Sequence, residues 1–136
     1  MNHNILIIED NVEMQELMKL VLEQNDYDVT SALTGSDALS VLSTGSKFMM
    51  ILLDLTLPDM RAQTFLDIIK QEKLAIDVPI LFCSAMNDLH RMILPEGVVG
   101  VIQKPFKIEK LLNTIELTIT ENTINTMNAT FHSLES

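Results

Sequence analysis

A single cysteine serves the whole 136-residue chain, so no disulfide framework holds it together. That residue, Cys83, sits in PILFCS (79–84), where a small buried apolar side chain is the better reading than a reactive thiol. Basic residues are scarce too. Nine Lys and Arg stand against nineteen Asp and Glu, a net charge of -10 with no basic cluster, which argues against direct nucleic-acid binding and against an anionic membrane surface. The longest apolar runs, ILII and FMMILL, fall far short of the roughly 18 residues of a membrane-spanning helix, so no membrane insertion is expected. The polar start MNHN does not read as a signal peptide, and a cytoplasmic location is the expectation. Internal repeats and Gly/Ser or Pro linkers are missing, and His3, His90 and His132 show no metal-ligand spacing. What is plentiful is apolar mass: 47% of the residues, nine methionines among them, enough to fill the core of one compact domain.

Five short apolar runs read as strands: NILIIED (4–10), YDVTSA (27–32), FMMILLD (48–54), VPILFCS (78–84) and VVGVIQK (98–104). The first, third and fourth are continuously apolar rather than alternating, as in strands covered on both faces of a parallel sheet. Helical patterns lie between and after them. VEMQELMKLVLEQN (12–25) places Leu17, Leu20 and Val21 at helical spacing behind an Asn11 cap and stops at Asn25 and Asp26. GSDALSVL (35–42), with Ser36 as candidate cap, offers Ala38, Leu39 and Leu42, and TFLDIIKQ (64–71) offers Phe65, Ile68 and Ile69. NDLHRMIL (87–94) is a short candidate ended by Pro95 and Gly97, and IEKLLNTIELTI (108–119) aligns Ile108, Leu111, Leu112, Ile115 and Ile119. Strand and helix therefore alternate five times, the pattern of an α/β, doubly wound five-stranded parallel sheet with helices on both faces. Residues 1–120 form that domain. The Asn- and Thr-rich segment 121–136 is either a disordered polar tail or a helical extension of the last helix, since Leu117, Ile124 and Phe131 are spaced by seven, as are Met127 and Leu134.

The polar residues that interrupt this apolar scheme fall in one place. Glu9 and Asp10 end the first strand, Asp54 the third, Ser84 the fourth and Lys104 the fifth. Ligands of open parallel sheets bind outside the carboxyl ends of the strands, where strand order reverses. In the flavodoxin-like order 2-1-3-4-5, strands one and three are neighbours, so Glu9, Asp10 and Asp54 converge. Three crowded carboxylates call for a hard divalent cation, and Mg2+ is the natural one. Lys104 adds a second positive charge, leaving a position suited to an anion such as a phosphoryl group.

The set ED…D-x-x-x-P…S…KP, each part on its strand end, resembles the receiver domain of two-component response regulators, the CheY-like superfamily, over residues 4 to about 120. The resemblance implies that Asp54 is the phosphoacceptor, taking a phosphoryl group from a histidine on a sensor histidine kinase or histidine phosphotransfer protein. It implies that Asp10 and Asp54 bind Mg2+ directly, Glu9 through water and Thr56 through its backbone carbonyl. Lys104 then contacts the phosphoryl oxygens, and Ser84 swings its hydroxyl onto the new phosphate. Pro105 is similar to the family proline that follows a cis peptide bond. Such a chain is a signalling switch, catalysing only its own phosphorylation and dephosphorylation and acting on a downstream protein target.

Several positions depart from the family pattern. Val101 stands where receivers usually carry the Tyr or Phe whose rotamer tracks activation, so the signal leaves by another route. Ala62 replaces a glycine eight residues after the acceptor, and the interval from Ser84 to Lys104 is short. The charged pairs by which many winged-helix regulators dimerise are not evident around GVVGVIQKPF, so a monomer or weak dimer is expected. The competing reading is a pseudo-receiver that switches by partner binding alone, kept open by Val101. A haloacid-dehalogenase-type phosphohydrolase needs an aspartate where Thr56 stands, and TGSK (44–47) is not a phosphate-binding P-loop.

Overall fold

Ile5–Ile8, Met50–Leu53 and Ile80–Cys83 are buried without interruption, and they form the middle of a parallel sheet, as their unbroken apolar character requires. This computed structural model describes residues 3–85 and 92–135, the side chains at 126 and 129–135 excepted. Its elements run β1 (Asn4–Ile8), α1 (Val12–Gln24), β2 (Asp28–Ala32), α2 (Gly35–Ser43), β3 (Met50–Asp54), α3 (Ala62–Gln71), β4 (Ile80–Ser84), β5 (Val98–Gln103) and α4 (Ile108–Glu135). The strands pair in parallel in the order β2-β1-β3-β4-β5, the flavodoxin-like arrangement expected from the sequence.

Because side chains alternate across a strand, each central strand feeds two cores. Leu6, Ile8, Ile51, Leu53, Ile80 and Phe82 pack under α2 and α3 against Ala38, Leu42, Phe65 and Ile69. Ile5, Ile7, Met50, Leu52, Leu81 and Cys83 pack on the other face against Met18 and Leu22 of α1 and Leu111 and Ile115 of α4. Each Leu, Ile or Phe fully withdrawn from water contributes roughly 1.5–3 kcal/mol, so the two cores fix the position of every strand end.

Local details correct three expectations. The Asn11 cap is present, its side chain accepting from the Met14 N–H at 2.9 Å, and Asp26 takes a left-handed φ of 69° after α1. The buried face of α1, however, is Met18, Val21 and Leu22, while Leu17 and Leu20 are 46% and 55% exposed. The helix is apolar over more than one stripe, and the stripe containing Met18 and Leu22, four apart, is the one that meets the sheet. At α2 the cap is Thr34, not Ser36: the Thr34 hydroxyl accepts from the Asp37 N–H at 3.0 Å. In α4, Leu111 and Ile115 are buried but Ile108, in its first turn, is exposed. The candidate helix NDLHRMIL falls largely outside the described residues, and Met92–Leu94 carry no regular structure.

From Ile108 to Glu135, α4 counts 28 residues, a length of about 42 Å at 1.5 Å per residue. Its exposed side presents Leu117, Ile124 and Met127 to solvent.

Candidate functional site

Backbone hydrogen bonds continue the sheet at its carboxyl edge, tying the end of β1 to β2, β3 to β4 and β4 to β5. Glu9 directly follows β1 and donates its N–H to the Ala32 carbonyl at 3.0 Å. The Gln15 side-chain amide, one turn into α1, reaches the carbonyls of Glu9 at 3.3 Å and Ala32 at 3.2 Å. Asp54 is the last residue of β3, and the next N–H, that of Leu55, donates to the Cys83 carbonyl at 3.1 Å. Ser84 is the last residue of β4, and its carbonyl accepts from the Lys104 N–H at 2.7 Å. The peptide bond from Lys104 to Pro105 is cis.

These ties bring Glu9, Asp54 and Lys104 together. The Lys104 ammonium donates to Glu9 Oε1 and also reaches Asp54 Oδ2 at 3.3 Å. Asp54 Oδ1 accepts twice from Thr56, from its N–H and from its hydroxyl, both at 3.0 Å. Glu9 and Asp54 are only 2% and 3% exposed, so two acids and one base share a site from which water is largely excluded. Burial, then the neighbouring Asp54 carboxylate, raise the Glu9 pKa to about 7 against the opposing pull of Lys104. Burial works the same way on Asp54, but Glu9, the Thr56 hydrogen bonds and the Lys104 charge overcome it and hold its pKa below the ordinary value. Burial also disfavours the Lys104 ammonium, yet its contacts with Glu9 and Asp54 prevail and raise its pKa. Below about pH 7 the proton of the pair therefore resides on Glu9, and Asp54 is the ionised carboxylate. Burial pushes the Cys83 thiol up to about 12, so it is a core residue rather than a nucleophile.

Asp10 completes the acidic group from an exposed position. One carboxylate oxygen from each of Glu9, Asp10 and Asp54 lies within 4.8 Å of the other two. Glu9 Oε2 is buried and finds no hydrogen-bond partner among the described residues. An all-oxygen, acidic donor set with one unsatisfied buried oxygen fits a hard divalent cation. Ser84 is fully buried beside the group, and Val101 is half-buried against the core under α3. Where Ala62 replaces the family glycine, α3 simply begins there, with Arg61 as a cap residue that makes no side-chain hydrogen bond.

Gln15 was not anticipated from the sequence, and neither was Asp59. Asp59, in the loop after β3, accepts from the N–H groups of Gly35 and Ser36 at 2.9 Å each, joining that loop to the start of α2. Thr34-x-x-Asp37 is a recognisable helix start, but nothing near it in sequence points to a carboxylate 24 residues away.

The sequence model for the response regulator receiver domain matches residues 5–116. The chain belongs to this family. It is 31% identical over 122 residues to the chemotaxis protein CheY of Bacillus subtilis, covering 88% of this chain and 99% of that protein. It is 28% identical over 119 residues to the response regulator SaeR of Staphylococcus aureus, 86% of this chain but only 50% of that protein. Among solved structures, a CheY-like receiver domain protein from Methanospirillum hungatei superposes with a TM-score of 0.80 at 24% identity, over 92% of this chain and 99% of that one. The fold and the signalling-switch class of this receiver domain follow. Among its described residues no helix is long and apolar enough to cross a membrane.

Proposed function

We propose that this chain is the phosphoacceptor of a two-component phosphorelay, and that Asp54 takes the phosphoryl group in a Mg2+-dependent reaction. The observation that carries this reading is the setting of Asp54: a buried carboxylate bonded by Thr56 and Lys104, within 4.8 Å of the Glu9 and Asp10 oxygens. The phosphodonor is a phosphohistidine on a sensor histidine kinase or histidine phosphotransfer protein. An Asp54 oxygen forms a bond to phosphorus as the phosphorus–nitrogen bond breaks, and the departing imidazole keeps the electron pair and takes up a proton. The product is an acyl phosphate on Asp54.

Asp10, Asp54, Glu9 through water, and the Thr56 carbonyl would hold the cation. Bound there, Mg2+ neutralises charge on the transferring oxygens. Lys104, which lies against Glu9 and Asp54, would turn its ammonium to the phosphoryl oxygens, where charge develops. The Ser84 hydroxyl would bond to the new phosphate from the end of β4, drawing the following loop with it. Thr56, already bonded twice to Asp54, would influence how long the acyl phosphate survives. Pro105 orients Lys104, and Val101 leaves signal output to surfaces other than the usual aromatic relay.

The switch resides in residues 1–120, and the segment from 121 extends its last helix. It works in the cytoplasm as a monomer or weak dimer, on a protein target rather than on nucleic acid, consistent with the charge of -10. The decisive experiment is incubation with Mg2+ and acetyl phosphate, followed by intact mass, for the wild type and Asp54→Asn. A phosphoryl adduct that forms only with Mg2+ and only with Asp54 is the expected result. Its absence from the wild type would leave a pseudo-receiver that switches by partner binding alone.

A further inference from the structure

The loop that follows Asp54 is fastened at two points. At one, the Leu55 N–H is bound to the Cys83 carbonyl at 3.1 Å, which extends the β3–β4 ladder by one residue. At the other, the Asp59 carboxylate takes the Gly35 N–H on Oδ1 and the Ser36 N–H on Oδ2, both at 2.9 Å. Thr56, Leu57 and Pro58 alone lie between the two points, and the Pro58 ring fixes its own φ. Thr56 is thus held at both sides, with its N–H and hydroxyl directed onto Asp54.

The attachment involves more than two hydrogen bonds. A Cβ placed on Gly35 would stand 2.7 Å from Met60 Sδ and 2.8 Å from Met60 Cγ, so the side chain after Asp59 lies directly against the bare glycine. Burial opposes the charge on Asp59, but the Ser36, Gly35 and Asp59 amides together outweigh burial and lower the Asp59 pKa, which keeps a charged acceptor on these amides at neutral pH. The β2–α2 corner to which Asp59 binds is itself tied to the Glu9 corner, through the Glu9 N–H on Ala32 and through Gln15 on both carbonyls. Helix α2 does not depend on Asp59 alone, because Thr34 already caps the Asp37 N–H.

We propose that Asp59 is a positioning residue for phosphoryl acceptance: by binding the first two amides of α2, it fixes the loop that carries Thr56 against Asp54. Its carboxylate does not touch the reacting atoms. It acts through the Thr56 carbonyl, the group assigned to the cation, and through the Thr56 N–H and hydroxyl that bond to Asp54. The inference rests on the phosphoacceptor reading above, and it adds that the β1–α1, β2–α2 and β3–α3 turns form one braced unit.

The test compares wild type, Asp59→Ala and Asp59→Asn. Mg2+ alone is titrated by calorimetry, acetyl-phosphate labelling is followed by intact mass at sub-saturating Mg2+, and thermal midpoints are recorded. Two charge-assisted bonds at an exposed site lead us to expect Asp59→Ala to lose about three- to tenfold in Mg2+ affinity and in labelling rate. Asp59→Asn regains part of both, since its amide oxygen accepts one of the two N–H groups. If Asp59 is only a helix cap, the midpoint falls while Mg2+ affinity and labelling stay at wild-type values, and the proposal is overturned. Should the wild type itself bind no Mg2+ and take no phosphoryl group, the phosphoacceptor reading fails, and hydrogen exchange at the Thr56 amide decides the clamp. Faster exchange there in Asp59→Ala supports it; unchanged exchange rejects it.

Discussion

Lys104 and Glu9, 95 positions apart in the chain, meet as an ammonium and a carboxylate inside the carboxyl end of the sheet. Asp54 is the third member, 3.3 Å from the same ammonium. Two acids against one base leave an excess negative charge in a site that excludes water, and the cluster relieves it by retaining a proton on Glu9 up to about pH 7.

That retained proton makes stability depend on pH in the direction opposite to ordinary acid denaturation. An acid whose pKa is 4.5 in the unfolded chain and about 7 in the folded one binds more protons folded than unfolded between those values. Stability contributed by protonated Glu9 is therefore present at the acid end and is lost as pH rises through about 7. The lowered Asp54 pKa acts below its ordinary 3.8, and the raised Lys104 pKa acts above 10.5, so neither reverses the sign in this window. Denaturant unfolding in chelator at pH 5 and pH 8 should show a loss of up to about 3 kcal/mol that Glu9→Gln abolishes. Identical pH profiles for the two proteins would rule this out.

Removing the base has the opposite consequence. Lys104→Met leaves Glu9 and Asp54 buried together without a counter-charge, and breaking a buried pair in this way costs about 3–5 kcal/mol. Added Mg2+ should restore much of that loss, because a ligand bound only by the folded state stabilises it by mass action. The wild type should gain less, since Mg2+ there competes with an ammonium already in place. Urea midpoints with and without Mg2+ measure both terms. An equal Mg2+ effect in the two proteins would show that Lys104 and the cation do not share the site.

Thr56 is expected to set the ionisation of Asp54. Its hydroxyl and N–H both donate to Oδ1, and Thr56→Ala removes the first while keeping the second. Hydrogen bonds to charged groups are worth about 1.5–3 kcal/mol when unscreened, so the Asp54 pKa should rise by an amount resolvable in a carboxyl-carbon NMR titration. A titration curve that does not move would show that the hydroxyl bond is not maintained in solution.

How far the sequence speaks for this architecture differs by element. The strands were legible because Ile5–Ile8, Met50–Leu53 and Ile80–Cys83 are unbroken apolar runs, as a doubly covered strand requires, and because each run is followed by a polar residue, Glu9, Asp54 or Ser84. In the first helix Val21 is on the buried face as its spacing suggests, but Leu17 and Leu20 satisfy helical spacing as well as Met18 and Leu22 do, and only the sheet decides between them. Ser36 was the cap the sequence suggested, but Asp59 occupies the amides of Gly35 and Ser36, and Thr34 caps Asp37 instead. Contacts of this kind have no local pattern. They arise when distant turns are brought to one edge of the sheet, which is why Asp59 and Gln15 were invisible while Asp54 and Lys104 were not.

The end of α4 should be dispensable for folding. Leu111 and Ile115 provide its buried contacts, whereas residues 121–125, 127 and 128 are all exposed. A chain ending at Thr120 keeps both cores, so its thermal midpoint should shift by no more than about 2 °C, the equivalent of a surface change of roughly 0.5 kcal/mol in a domain of this size. The helical signal in circular dichroism should fall with the truncation. Leu117, Ile124 and Met127 recur at heptad-like intervals on the exposed side, so any concentration-dependent mass seen for the full chain should disappear with the segment that carries Ile124 and Met127. Loss of cooperative unfolding in the truncated protein would place the domain boundary beyond Thr120 and make the extension part of the folded unit.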